Sequence, residues 1–218
     1  MLADLTPSNM PNDTGHPWNK DRAVGQKRPF TQDQIRQLAN LLKDAERQRE
    51  LTLFCLGIDT MLRSSDLVRL RVRDLIDQNG QPKPDFSSSQ QKTGAAVVSV
   101  ITPFSQAALR TWIEVGNLSR RDYLFTSRSG DGSKPITTNF LRRLVKKWAA
   151  ELGLDPTDYS GHSLRRSKPS HLYAQGVRPE MLRLLLGHKS LQSTQAYLGI
   201  DQNEALALAR KFDCFKEF

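Results

Sequence analysis

The stretch RELTLFCLGIDTML, residues 49–62, constrains the fold of this chain more than any other. Wound at about 3.6 residues per turn, it presents apolar side chains on nearly every side. Such a helix is stable only where other elements cover it all round, so the rest of the chain must supply those covers. TQDQIRQLANLLKDAER, just upstream, has the pattern for one. Ile35, Leu38, Leu41 and Leu42 recur at helical spacing, and Thr31 with Gln34 forms a capping-box signature at its start.

Further elements follow in order. RSSDLVRLRVRDL predicts a short helix capped by Ser64 or Ser65, with Leu67, Leu70 and Val72 turned inward. PDFSSSQQKTGAAVVSVITP reads as a hairpin: FSSSQQ is a polar strand, KTGA the turn and AAVVSVIT a β-branched strand, with RVRDLID as a possible third strand. SQAALRTWIEVG returns to helix, RDYLF is a short extended piece and SRSGDGSKP a surface loop. Thr137 or Thr138 caps TNFLRRLVKKWAAELG, whose apolar face is Phe140, Leu144, Val145, Trp148 and Leu152. Its Arg142, Arg143, Lys146 and Lys147 suit either a solvated face or one turned to phosphates. Helices are expected over Arg178–Gly187, from Lys189 to near Gly199, and in the tail EALALARKF. The fold class is therefore mainly α with one small antiparallel β-sheet, an α+β domain. The expected organisation is a flexible, basic-ended arm over 1–28, one domain over 29–200 and a tail helix over 201–218.

Charge narrows the function. The net charge of +9 favours a polyanionic partner, nucleic acid before a membrane surface. No long uncharged apolar run and no basic amphipathic helix with aromatic anchors is present, so a membrane partner is not expected. The N-terminus has no signal-peptide pattern, and Cys55 and Cys214 form no disulfide framework, which fits a reduced cytoplasmic protein.

GHSLRRSKPSHLYAQG, residues 161–176, poses the chemical question. Leu164, Leu172 and Tyr173 supply an apolar stripe, yet His162, Arg165, Arg166, Lys168 and His171 crowd beside it. With Arg63, Lys92, His188 and Tyr197 elsewhere, each residue has a plain explanation when taken singly: a helix-end arginine, a turn lysine, a capping histidine, a half-buried tyrosine. Together, Arg63, Lys92, His162, Arg165, His188 and Tyr197 suit attack of an oxygen on a phosphodiester. Arginine forks neutralise the non-bridging oxygens, Lys or His protonates the leaving oxygen, and Tyr can form the ester. No carboxylate cluster or Cys/His ligand set appears, so neither a metal nor another cofactor is expected.

HSLRR followed by LLLGHKSLQSTQAYLGI resembles the C-terminal signature of the tyrosine recombinases, the phage-integrase type. The family's His-x-x-Arg, Leu-Gly-His and following Tyr correspond to His162 with Arg165, Leu186–Gly187–His188, and Tyr197. DTMLRSSDLVRLRVRDL resembles the Gly-Leu-Arg box, placing the first arginine at Arg63, and Lys92 fits the hairpin lysine. The resemblance covers roughly residues 30–200. It implies a site-specific recombinase that cleaves and rejoins double-stranded DNA through a 3′-phosphotyrosyl link, in integration, excision or inversion. It implies a monomer in solution and a homotetramer on paired DNA sites, the tail docked on a neighbour. The rival readings are a DNA-binding accessory protein without catalysis and a relaxing topoisomerase. Within 161–176, Pro169 predicts that the regular helix starts near Ser167, with His162 and Arg165 in the approach. Arg166, if helical, is expected to turn about 100° from Arg165, toward DNA backbone or solvent. Two departures stand out. Residues 1–28 are too few for the additional N-terminal clamp domain common in the family, so this reads as a catalytic domain alone. Met61 occupies the glycine position of the first box.

Overall fold

The computed structural model describes residues 26–200, apart from 93, 95 and 128–132, together with Leu206. Nine α-helices, a 3₁₀ turn and one hairpin are seen among them: α1 (Gln32–Asp44), α2 (Gln48–Asp59), α3 (Ser64–Leu67), α4 (Val72–Leu75), β1 (Asp85–Ser89), β2 (Ala96–Val100), α5 (Pro103–Val115), α6 (Thr138–Glu151), the 3₁₀ turn Pro156–Asp158, α7 (Gly161–Ala174), α8 (Pro179–Leu186) and α9 (Leu191–Leu198). The mainly helical class with a small antiparallel sheet is what the sequence predicts. The tail helix expected over 201–218, and with it Cys214, lies outside the described residues except for Leu206, which is helical.

The all-round apolar helix is the centre. Every residue of α2 from Leu51 to Asp59 is buried, and α1, α5 and α7 pack around it. Thr31 caps α1 with Gln34 in a reciprocal pair, the Gln34 amide donating to Thr31 Oγ1 at 3.2 Å and the Thr31 amide to Gln34 Oε1 at 2.9 Å. An aromatic chain ties the N-terminal segment to the core: Phe30 stacks on Tyr159 at 4.7 Å and meets Phe54 edge-on, and Phe54 meets Trp148 at 5.5 Å. One buried carboxylate holds three elements. Asp59, at the end of α2, accepts from the Thr102 amide, Thr102 Oγ1 and Ser105 Oγ at the start of α5, and pairs with Lys168 of α7 at 3.0 Å.

Several local expectations are corrected. RVRDLID forms no third strand; it makes the single turn α4, flanked by isolated bridges from Arg71 to Tyr123 and Ile76 to Pro82, so the sheet has two strands. The N-cap of α3 is Arg63, with the serines inside the helix. On α6, Leu141 takes the core place expected of Phe140, which stays exposed. Among the described residues no helix is long and apolar enough to cross a membrane.

Candidate active site

The helix predicted from Ser167 begins six residues earlier, at Gly161, and carries Pro169 in its interior. Ser160 is the reason. Its hydroxyl accepts from the His162 amide at 3.2 Å, while Ser163 Oγ accepts from the Ser160 amide at 3.0 Å. The cap fixes the start, and burial of Ser163, Leu164, Ser167 and Pro169 holds the rest in place despite the donor that proline removes. The earlier start has a chemical consequence. His162, Arg165 and Arg166 now stand at positions i, i+3 and i+4, which share one helical face. Arg166 still stands about 100° round the helix from Arg165, but instead of facing DNA backbone or solvent it is half-buried on the side of Tyr197. Lys168 does not join them, because Asp59 holds it.

Close packing brings the two arginine elements together. A Cβ on Gly161 would fall inside the Ser64 side chain, so the start of α7 lies directly against α3. Arg165 is 3% exposed. Its Nη1 donates to the Met61 carbonyl and its Nη2 to the Leu186 carbonyl at 2.8 Å. Met61 presents that carbonyl from a left-handed backbone, φ +52°, which is a conformation glycine adopts at less cost. The turn geometry of the first box is thus kept with a methionine in it.

Arg63 leaves the same turn, and its Nη1 donates to Gln90 Oε1. Gln90 is 1% exposed and donates through Nε2 to the Leu186 carbonyl at 3.0 Å. One carbonyl at the end of α8 therefore fixes Arg165 directly and Arg63 through Gln90. Gln90 is a site residue that sequence reasoning missed; it lies two positions before Lys92, just past β1 in a polar run with nothing to distinguish it from its neighbours. Lys92 is exposed on the hairpin turn. The turn is anchored by the Gln91 amide, which donates to Asp66 Oδ1 at 3.2 Å.

Gly187 ends α8 with φ +61°. Its amide donates to the Leu184 carbonyl and the His188 amide to the Arg183 carbonyl, the paired bonds of a left-handed helix ending. This aims His188 inward. His188 Nε2 lies 3.4 Å from Arg165 Nη2, and Nδ1 lies 3.1 Å from Thr194 Oγ1. Arginine only donates, so Nε2 is the acceptor and Nδ1 carries the proton. Burial first, then Arg165 and Arg63, push the His188 pKa down to about 4, which keeps the ring neutral. Thr194, fully buried, is the second residue that sequence reasoning missed.

Tyr197, on α9, sets its ring edge-on to His188 at 5.3 Å, with the Arg166 guanidinium 5.2 Å from its centroid. Its hydroxyl is shut off from water and makes no hydrogen bond of ordinary geometry, although Arg165 is near enough to favour its ionised form. Burial drives the phenol up to about 12, against the opposing effect of Arg165, Arg166 and Arg63. His162 is exposed at the rim. Its pKa is lowered by partial desolvation and then by Arg165, Arg166, Arg63 and Lys92. Lys92 is thus within electrostatic reach of His162. Among the described residues no carboxylate pairs with Arg63, Arg165 or Arg166, and no group of three or more His, Cys, Asp or Glu could hold a metal. His171, outside the cluster, packs with Nε2 2.8 Å from the Phe30 carbonyl.

Comparison with known proteins bears on this arrangement. The family model described as "Phage integrase family" matches residues 28–204. Tyrosine recombinase XerC of Erythrobacter litoralis is 29% identical over 172 residues, covering 78% of this chain and 54% of the relative. The probable integrase/recombinase YoeC of Bacillus subtilis is 27% identical, covering 77% of this chain and 86% of the relative. The crystal structure of XerH recombinase bound to palindromic difH substrate, a post-cleavage complex, superposes with a TM-score of 0.67 at 20% identity, over 85% of this chain and 53% of that one. The chain thus spans about half the length of the XerC relative.

Proposed function

The chain belongs to the phage integrase family, and from that premise we propose that it is a site-specific recombinase acting on double-stranded DNA. The observation that carries the reading is the convergence of Arg63, Arg165 and His188 around the buried hydroxyl of Tyr197, with His162 at the rim and, among the described residues, no carboxylate paired with the arginines. Such a site is short of an anion, and a phosphodiester supplies one.

In the proposed reaction the Tyr197 oxygen attacks phosphorus and loses its proton to His162, whose lowered pKa keeps it neutral and able to accept. Arg63 and Arg165 hold the non-bridging oxygens. The bond to the 5′ oxygen breaks, Lys92 gives that oxygen a proton, and a 3′-phosphotyrosyl ester and a free 5′-hydroxyl result. For His188 to donate to the phosphate its proton must sit on Nε2; the Thr194 hydroxyl, able to donate as well as accept, permits that switch. The ester conserves the bond for rejoining, so no ATP or metal is called for. The reading extends to a tetramer on paired sites, with residues 201–218 docked on a neighbour, and to the cytoplasm, where its DNA would be.

The test is a pool of randomised duplexes, each with a nick near a possible cut site. The nick lets the short 5′-hydroxyl fragment diffuse away, so the ester accumulates. Wild-type protein should form a covalent adduct and Tyr197→Phe should form none while binding DNA nearly as well. No adduct with wild type would favour a non-catalytic DNA-binding protein. Adducts without strand exchange between two duplexes would favour a topoisomerase.

A further inference from the structure

Arg166 has a place in this site that the phosphate chemistry does not use. Its guanidinium covers the Tyr197 ring at 5.2 Å from the centroid. The same group donates to Gln26 Oε1, and Gln26 Nε2 donates to the carbonyl of Ala196, the residue before Tyr197. Gln26 is itself tied down by its neighbours. Lys27 Nζ donates to the Thr157 carbonyl at 2.7 Å, and Arg28 meets Asp158 through its side chain at 3.1 Å and its amide at 3.0 Å. A closed circuit thus runs from α7 through the N-terminal segment to α9.

We propose that Arg166, bridged by Gln26, is a positioning residue for Tyr197, fixing the ring's orientation and balancing the charge that appears on its oxygen when the proton leaves. The inference rests on the reading of Tyr197 as the nucleophile. The charged and titratable groups facing that phenol are Arg165 and Arg166 from α7, His188 from the turn before α9 and Arg63 from the turn after α2. His188 is neutral. Arg63 is engaged by Gln90, and Arg165 by two carbonyls, so both are held for the phosphate. Among the described residues Arg166 has no carboxylate partner, and its Nε is buried without a hydrogen bond, so its charge acts on the ring. Of the cations that oppose the upward push of burial on the phenol, Arg165 and Arg166 come first. A cation over an aromatic ring corresponds to between about twofold and about thirtyfold, the upper end applying when it is desolvated.

The experiment incorporates a fluorotyrosine at position 197 of the full chain, which lowers the phenol's intrinsic pKa into a range where the fold persists. Fluorine NMR then reads ring orientation and titration midpoint in the free protein. In parallel, adduct formation is timed on the nicked duplex that wild type selects, with DNA affinity measured at one salt concentration. Arg166→Gln should raise the midpoint by about one pH unit and slow adduct formation about tenfold, with affinity within about twofold. Arg166→Lys should restore most of the midpoint. Gln26→Ala should alter the fluorine resonance and slow the reaction a few-fold. An unchanged midpoint in Arg166→Gln overturns the proposal, as does a rate loss matched by an equal loss of affinity, which would make Arg166 a phosphate contact. Should Arg166→Gln fail to fold, a wild-type resonance in Gln26→Ala overturns it instead. A wild type that forms no adduct, with the midpoint still shifted in Arg166→Gln, would sink the recombinase reading and leave the contact standing.

Discussion

Gly187→Ala tests whether the geometry of the site is set by backbone conformation. Two separate penalties follow from the structure. At φ +61° an L side chain is strained, costing about 1–2 kcal/mol. The added Cβ would also fall inside the buried Val97 side chain and 2.8 Å from Gln90 Nε2, and relieving such overpacking typically costs about 1–3 kcal/mol. The sum is about 2–5 kcal/mol, which in a domain of this size lowers the melting temperature by about 4–20 °C. The functional loss should exceed what stability predicts, because Gln90 is the residue that must move and Arg63 hangs from it. Displacing one preorganised donor typically costs about 10²–10³ in rate. Urea unfolding and single-turnover adduct formation, both at a temperature where the variant stays folded, measure the two effects. Val97→Ala should relieve one clash, so the double variant should be less destabilised than the sum of the singles, by about 1 kcal/mol. Gly187→Ala within about 0.5 kcal/mol of wild type and cleaving at the wild-type rate would refute the reasoning.

The other predictions concern single groups. Arg63→Ala and Arg165→Ala should each slow adduct formation by roughly 10²–10³ with a much smaller loss of binding; a wild-type rate in either removes it from the clamp. Lys92→Ala should recover on a substrate whose 5′-bridging oxygen is sulfur, since a thiolate leaves without an acid, and an equally slow reaction there would assign the proton to another donor. Asp59→Ala breaks a buried pair with Lys168 and three hydrogen bonds, and denaturant unfolding should report a loss of about 3–5 kcal/mol. His188 remains neutral in the folded chain down to about pH 4, whereas an unfolded histidine takes up its proton near pH 6.5. The unfolded state therefore binds more protons between those values, so its contribution to stability is full above about pH 6.5 and falls as pH drops toward about 4. His188→Gln should lack that part of the acid dependence, and an identical pH–stability curve would contradict the buried, neutral assignment.

What could be read without coordinates was whatever depends on near neighbours in the chain. The all-round apolar pattern of residues 49–62 placed the core helix, Thr31 with Gln34 placed its neighbour's start, and the signature from His162 to Tyr197 named four residues of the candidate site, with Arg63 added by the first box and Lys92 by the hairpin. The same local logic failed at α7. Pro169 disfavours a helix interior, but the Ser160 cap and the burial of Leu164 and Ser167 outweigh it, and the earlier start carries Arg166 on the helix beside Tyr197. Gln90, Thr194 and Gln26 were invisible for a different reason. Each matters only through a partner far along the chain: Gln90 through Arg63 and Leu186, Gln26 through Arg166 and Ala196. Thr194 matters only because Gly187 turns His188 toward it. Sequence periodicity reports which face of an element is buried; which polar group meets which across that face is decided by how the helices pack, and only the folded chain carries that information.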